Sequence, residues 1–321
     1  MADLQVSTGF GARNALCSAF DSARESISAE FNRLSDTKVI ASLNAAAVRG
    51  VAVDVQLEGM PDRYDRIGRP GALGAGSEPD DPLSTLRAQL SPLVHLKIAD
   101  DPLVLLHAKL AIVDHERALM TTANQTASGF GCPGEVLVSD TNPLDVGALQ
   151  HALDRRDGES GPHVASGPGP QLRARLDPLF QTPADLSIAM EDLSDANIVA
   201  RLESRRAAGH HDRILLNART TVSRTQARVI RDLENAGVAV HCLAGRYMHN
   251  KYIDAGCELF VGSANLTRNG LDEAREVGVF AQPTDFADGA TALRVQFERD
   301  WESSVPVRLR GCAVQAWEKD A

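Results

Sequence analysis

One set of residue types occurs twice in this chain, in the same order and at nearly the same spacing. His107-Ala108-Lys109 is followed by Asp114, by Thr121-Thr122-Ala123-Asn124 and by Glu135. His249-Asn250-Lys251 is followed by Asp254, by Gly262-Ser263-Ala264-Asn265 and by Glu276. His to Asn spans 17 residues in the first copy and 16 in the second, and His to Glu spans 28 and 27. An internal repeat limits the fold more than any other feature, because each copy must belong to one structural unit and the two units must be alike. A chain of 321 residues has room for two such units.

Helices and strands alternate around each copy. In the first half, residues 15–23 place apolar side chains on one helical face and residues 26–31 alternate as a strand does. A second helix follows Asp36 and stops at Gly50, and residues 51–57 read as a mostly buried strand. The second half repeats the order with a helix over 196–207, a strand over 213–216, a helix over 225–236, Gly237, and a strand over 238–243. Alternation at this spacing predicts an α/β fold with crossover units and a largely parallel sheet in each half. Residues 157–170 are too rich in Gly and Pro for a helix or an inner strand. The expected division is therefore a half over 1–156, a linker region over 157–184 and a second half over 185–321. A shorter Gly/Pro/Asp-rich stretch, residues 68–82, reads as a surface loop.

Composition narrows the classes open to the chain. Apolar residues at 43% and charged residues at 24% suit a globular core. The formal charge of −10 argues against a protein that coats nucleic acid by long-range attraction, so an anionic ligand must be caught locally. The longest mostly apolar stretch, residues 103–113, is broken by His107 and Lys109 and falls short of the ~18–20 residues of a membrane span. The first residues carry neither a basic region nor an apolar core, which places the chain in the cytoplasm as an expectation. Five scattered cysteines, with no pair at close ligand spacing, read as buried free thiols.

The repeated residues suit one kind of chemistry. Positions two apart on a strand share a face, so each His-x-Lys pair projects into one cleft. Two such pairs related by an internal two-fold would place two imidazoles, two ammonium groups and two Asn amides around one pocket, which fits a phosphodiester. The anionic oxygens of a diester repel nucleophiles, and fixed Lys charges with amide donors stabilise the charge of the transition state. One neutral imidazole can attack phosphorus while the other supplies a proton to the leaving alcohol, and the roles then exchange. Glu135 and Glu276, each accepting from the far ring nitrogen of an imidazole, would fix tautomer and orientation. Asn124, Asn265, Ser263 and Thr122 are the expected substrate contacts, with Asp114 and Asp254 in support. The scheme calls for no metal and no cofactor.

With these motifs the chain resembles the phospholipase D superfamily, whose hallmark is His-x-Lys, then Asp, then Gly-Ser-x-Asn. The similarity runs from about Leu4 to Trp301 and includes Ala-Arg-Glu-Ser-Ile at residues 23–27 and Phe-Glu-Arg-Asp-Trp at 297–301. It implies two tandem α-β-α sandwich halves around mixed sheets, related by a pseudo-two-fold and meeting at a shared active site. It also implies a covalent phosphohistidine, with His107 as nucleophile and His249 as general acid. Two departures stand out. Thr121-Thr122 replaces the first Gly-Ser, keeping hydroxyls but losing glycine's backbone freedom. In the second motif the family's Asp would fall on Gly256, so either Asp254 has shifted into that role or the Asp is absent.

The resemblance leaves three readings of function. The first is hydrolysis or transfer of a phosphatidyl ester; the second is cleavage of DNA or RNA; the third is a scaffold that binds phosphorylated ligands with little turnover. A phospholipid or another phosphodiester is thus the expected partner. The nucleic-acid reading draws on eight arginines between Arg201 and Arg231, which could track a phosphate backbone. Because both motifs lie in one chain, no oligomer is needed to complete the site.

Overall fold

The computed structural model describes residues 4–59, 82–99, 101, 103–132, 134–155, 157–217, 222–243, 246–286 and 288–314. The loop expected over residues 68–82 falls, apart from residue 82, outside the described residues, as does Arg219.

The first half is a seven-stranded sheet built from β1 (Leu4–Thr8), β2 (Ser26–Phe31), β3 (Ala52–Glu58), β4 (Val94–Ala99), β5 (Lys109–Val113), β6 (Arg117–Thr121) and β7 (Val136–Asp140), in the order β1-β7-β6-β5-β2-β3-β4. The second comprises β8 (Val164–Ser166), β9 (Ser187–Met190), β10 (Arg213–Leu216), β11 (Ala239–Cys242), β12 (Lys251–Asp254), β13 (Leu259–Gly262), β14 (Val277–Ala281) and β15 (Val305–Pro306). Its order, β15-β11-β10-β9-β12-β13-β14-β8, repeats the first sheet strand for strand and adds β15 at one edge. Helices α1 (Phe10–Ser22), α2 (Thr37–Val48), α3 (Pro82–Gln89), α4 (Ala127–Phe130) and α5 (Pro143–Arg155) belong to the first half, and α6 (Gln171–Leu176), α7 (Ala196–Ala207), α8 (Arg224–Asn235) and α9 (Gly289–Glu302) to the second.

Four sequence expectations are corrected. The sheets are mixed rather than largely parallel: among the named strands of the described residues, β2-β3-β4 and β9-β10-β11 run parallel, while β5-β6-β7 and β12-β13-β14 pair antiparallel. The strand over 213–216 matches β3, not β2. The counterpart of β2 is β9, which is only four residues long and gave no alternation to read. Residues 157–184, expected as a linker, are folded into the second half, where β8 holds the edge that β1 holds in the first and α6 follows it as α1 follows β1. The cysteines are free thiols, but only Cys242 is buried.

Local sequence explains the element ends. Asp36 accepts from the backbone N–H of Lys38 and Val39 at the start of α2, and Asp195 does the same for Asn197 and Ile198 at α7. Gly50 and Gly237 follow α2 and α8 at φ 93° and 82°, a left-handed backbone that a side chain would strain.

Each half has its own apolar core, and a third cluster is shared. Met120 and Val138 of the first sheet and Val261 and Val279 of the second lie in it, with Phe297 of α9. At about 1.5–3 kcal/mol for each large side chain fully buried, this shared layer fixes the halves against one another. A buried ion pair adds specificity: Arg275 of the second half reaches Glu30 in β2, both less than a tenth exposed. Replacing Arg275 with Met takes this cation away from a carboxylate that stays buried. It is expected to cost about 3–5 kcal/mol in a guanidinium melt. A loss below about 1 kcal/mol would show that the rest of Glu30's surroundings suffice to hold its charge.

Candidate active site

The site forms where the corresponding ends of the two sheets meet. β5 and β12 each begin with the motif lysine, paired in register with the last residue of β2 or β9: Lys109 opposite Phe31, and Lys251 opposite Met190. The histidine lies two residues before each strand, at the rim. The turn after each Asn is tied down by the loop ahead of α2 or α7. Ser35 and Asp36 donate backbone N–H groups to the Gln125 carbonyl, and Ser194 and Asp195 donate to the Leu266 carbonyl. His107, His249, Asn124, Asn265, Glu135 and Glu276 all line one cavity of about 740 Å³ between the halves.

The imidazole–carboxylate pairs are crossed. His107 Nδ1 lies 2.8 Å from Glu276 of the second half, and His249 Nδ1 lies 3.0 Å from Glu135 of the first. The backbone dictates the first pairing. His107 N–H donates to the Arg275 carbonyl and Arg275 N–H to the Leu105 carbonyl, a two-bond clasp that puts His107 beside Glu276. An ionised carboxylate only accepts, so each Nδ1 carries the proton and Nε2 is the chemically available nitrogen. Burial pushes the Glu276 carboxyl up, but His107, Lys109 and the Ser263 hydroxyl outweigh it and hold it below its ordinary value. Burial lowers the basicity of His107 from the ordinary imidazole value, although Glu276 pulls the other way.

Four expected side chains have other partners. Thr122 and Ser263, expected to touch substrate, are fully buried behind the imidazoles. Thr122 donates to Glu135 and accepts from Val136 N–H; Ser263 donates to Glu276 and accepts from Val277 N–H. The threonine therefore fills the role of the serine in full. Asp114 lies at the far end of β5, where it accepts from the N–H groups of Arg24, Glu25 and Ser26. Asp254 does not take an equivalent place: it pairs with Arg294 at 2.7 Å. The N–H of Leu186, just ahead of β9, is held instead by Asp212, itself paired with buried Arg205.

The lysines are wholly buried. Lys109 Nζ donates to the His107 carbonyl at 2.6 Å, and Lys251 Nζ to the His249 carbonyl at 2.8 Å. Burial, together with the nearby Lys251 charge and against the pull of Glu276, brings the Lys109 ammonium down to about 7.

Sequence reading missed Glu191, the residue after β9. It lines the cavity and bonds Lys251 Nζ at 2.6 Å and, through the same oxygen, lies 3.3 Å from both His249 Nε2 and Asn265 Nδ2. A repeat that could have found it is Leu-Ser-Asp at 34–36 and again at 193–195, which aligns Glu191 with Asn32. Of the arginines between 201 and 231, Arg224, Arg228 and Arg231 lie exposed along one face of α8. Arg201, Arg205 and Arg213 pair with Asp177, Asp212 and Glu298, and among the described residues only Arg224 and Arg228 stand exposed without a partner shown.

The sequence matches a family described as cardiolipin synthase, PLD-like domain, over residues 16–156 and 179–301. No curated protein matches it in sequence. Among solved structures, polyphosphate kinase from Porphyromonas gingivalis is similar at 18% identity and a TM-score of 0.64, covering 92% of this chain but 47% of the kinase, so the chain spans about half of that protein. Phosphatidylserine synthase from Haemophilus influenzae matches at 11% identity and a TM-score of 0.64, over 95% of this chain and 87% of its own. The phospholipase D family member Nuc from Salmonella typhimurium matches at 20% identity and a TM-score of 0.38, over 48% of this chain and 91% of its own.

If His107 must be neutral and Lys109 charged, kcat/KM for a chromogenic phosphodiester traces a bell. Its acid limb rises below pH 6.5, since burial lowers the pKa of His107, and its alkaline limb falls as pH passes about 7 and Lys109 loses its proton. A flat profile from pH 5 to 9 would contradict both assignments.

Proposed function

The chain belongs to the phospholipase D-like family, and from that footing we propose that it cleaves or transfers a phosphodiester through a covalent phosphohistidine, with a phosphatidyl ester as substrate. The observation that carries this reading is the pair of crossed imidazole–carboxylate contacts at a single cavity.

The chemistry follows from the Nδ1 clamps. Nε2 of His107 attacks phosphorus, the bond to the leaving oxygen breaks, and Nε2–H of His249 gives that oxygen its proton. His249, now neutral, takes a proton from water or an alcohol, whose oxygen attacks phosphorus as the P–N bond breaks and His107 is restored. Lys109 and Lys251 supply positive charge from beneath, and Asn124 and Asn265 offer amide donors to the phosphoryl oxygens. Thr122 and Ser263 act on the imidazoles through Glu135 and Glu276. The roles of His107 as nucleophile and His249 as acid are carried over from the family resemblance.

A lipid ester is supported by the family matched and by the ion pairs that engage Arg201, Arg205 and Arg213. No helix among the described residues is long and apolar enough to cross a membrane. One observation favours nucleic acid instead. The cavity is lined mainly by polar side chains, among them Asn32, Asn124, Asn217, Gln226 and Asn265, which suits a hydrophilic diester and leaves acyl chains outside.

The test is incubation in EDTA with phosphatidylcholine vesicles, plasmid and a chromogenic diester. Release of the head-group alcohol is expected, and nicking of plasmid without it would transfer the assignment to the nuclease reading. Protein quenched with labelled substrate should carry phosphate on His107, and His107→Asn should lower kcat at least about a thousandfold. Label on His249, persisting in His107→Asn, would overturn the roles.

A further inference from the structure

The two half-sites are not equivalent, and one difference between them is a carboxylate at the cavity wall. In the second half, Glu191 Oε2 is the common partner of Lys251 Nζ, His249 Nε2 and Asn265 Nδ2, while its other oxygen accepts from the Tyr247 hydroxyl. These three are the very donors that a phosphoryl group would need on that side. Asn32, at the equivalent position of the first half, donates to the Leu106 carbonyl instead. There, among the described residues, Lys109 has no carboxylate partner within ion-pair distance, and its Nζ donates to the His107 carbonyl. One anion seat is open and the other is filled by the protein itself.

We propose that Glu191 is a resident competitor of the substrate, a carboxylate held in the anion seat of the second half-site that an incoming phosphate must displace, so that it sets which phosphates the site accepts. The proposal rests on reading the cavity as a phosphate site. A phosphodiester carries one negative charge, and exchanging it for a carboxylate on the same three donors leaves the charge of that seat unchanged. A dianionic phosphate brings one charge more, beside a carboxylate that has moved only as far as its side chain allows. Such a site discriminates against monoesters and free phosphate, a selectivity by repulsion rather than by added contacts. Beside it, burial and then the Glu191 charge push the Asp192 carboxyl up to about 6, while, against the effect of burial, His249 and Lys251 hold Glu191 well below the usual carboxylate range.

The alternative is a structural strut, in which Glu191 merely holds Lys251 in place. The two roles predict opposite signs, because losing a strut weakens anion binding and losing a competitor strengthens it. The experiment titrates inorganic phosphate at pH 7.5 into the whole chain by calorimetry, for wild type, Glu191→Gln and Glu191→Asn, the last carrying the first half's own residue. KM for bis(p-nitrophenyl) phosphate is measured alongside. Removing one charge a few ångströms from the seat is expected to tighten phosphate at least about tenfold, with a smaller fall in KM for the diester. Phosphate affinity that is unchanged or weaker in both variants overturns the proposal. The phosphate arm requires no turnover. Tighter phosphate binding in variants of a chain that cleaves no diester upholds the competition and defeats the catalytic reading alone.

Discussion

Everything at the site hangs on the crossed contacts between His107 and Glu276 and between His249 and Glu135. An imidazole is useful to phosphoryl transfer only if one nitrogen is held and the other aimed, and each half leaves the holding to its neighbour. The carboxylates must themselves be held, because a buried anion without donors would give up its charge. Thr122 and Ser263 supply one such donor each. The shared apolar layer, the Arg275–Glu30 pair and the backbone clasp at His107 are the parts of the fold that bring the carboxylates within reach.

Much of this was legible in the sequence. The recurring His, Lys, Asn and Glu announced two alike units, and the glycines after two helices marked where the chain turns back into strands. Residues whose job is set by local geometry were the readable ones. The misreadings share a cause, which is that the residues concerned act through partners remote in the chain. β9 is four residues with no alternation, so the helix–strand pattern points one unit late and gives no sign of the residue that follows β9. Residues 157–184 look like a tether by composition, but β8 gains its place from backbone pairing with β14, to which Gly and Pro content is blind.

The motif aspartates carry a similar lesson. Asp114 sits five residues after its lysine and caps three N–H groups ahead of β2. In the second half the need to hold an N–H at that end of the sheet persists, but Asp212 meets it from the approach to β10, with Arg205 as its cation. Asp254 is thereby released to pair with Arg294 of α9. A repeat preserves the physical requirement more faithfully than the residue that meets it. The same holds at Thr122, where a hydroxyl is what the carboxylate needs and the glycine before it is dispensable.

The crossed geometry has a consequence for what a single half could become. Two identical copies assembled about a true dyad would build the same constellation of imidazoles and carboxylates, but any residue on one side would be mirrored on the other. A glutamate at one position and an asparagine at its equivalent are forbidden to such a homodimer. Joining the copies in one polypeptide lifts that prohibition, and the Asn32/Glu191 asymmetry is what the fusion permits.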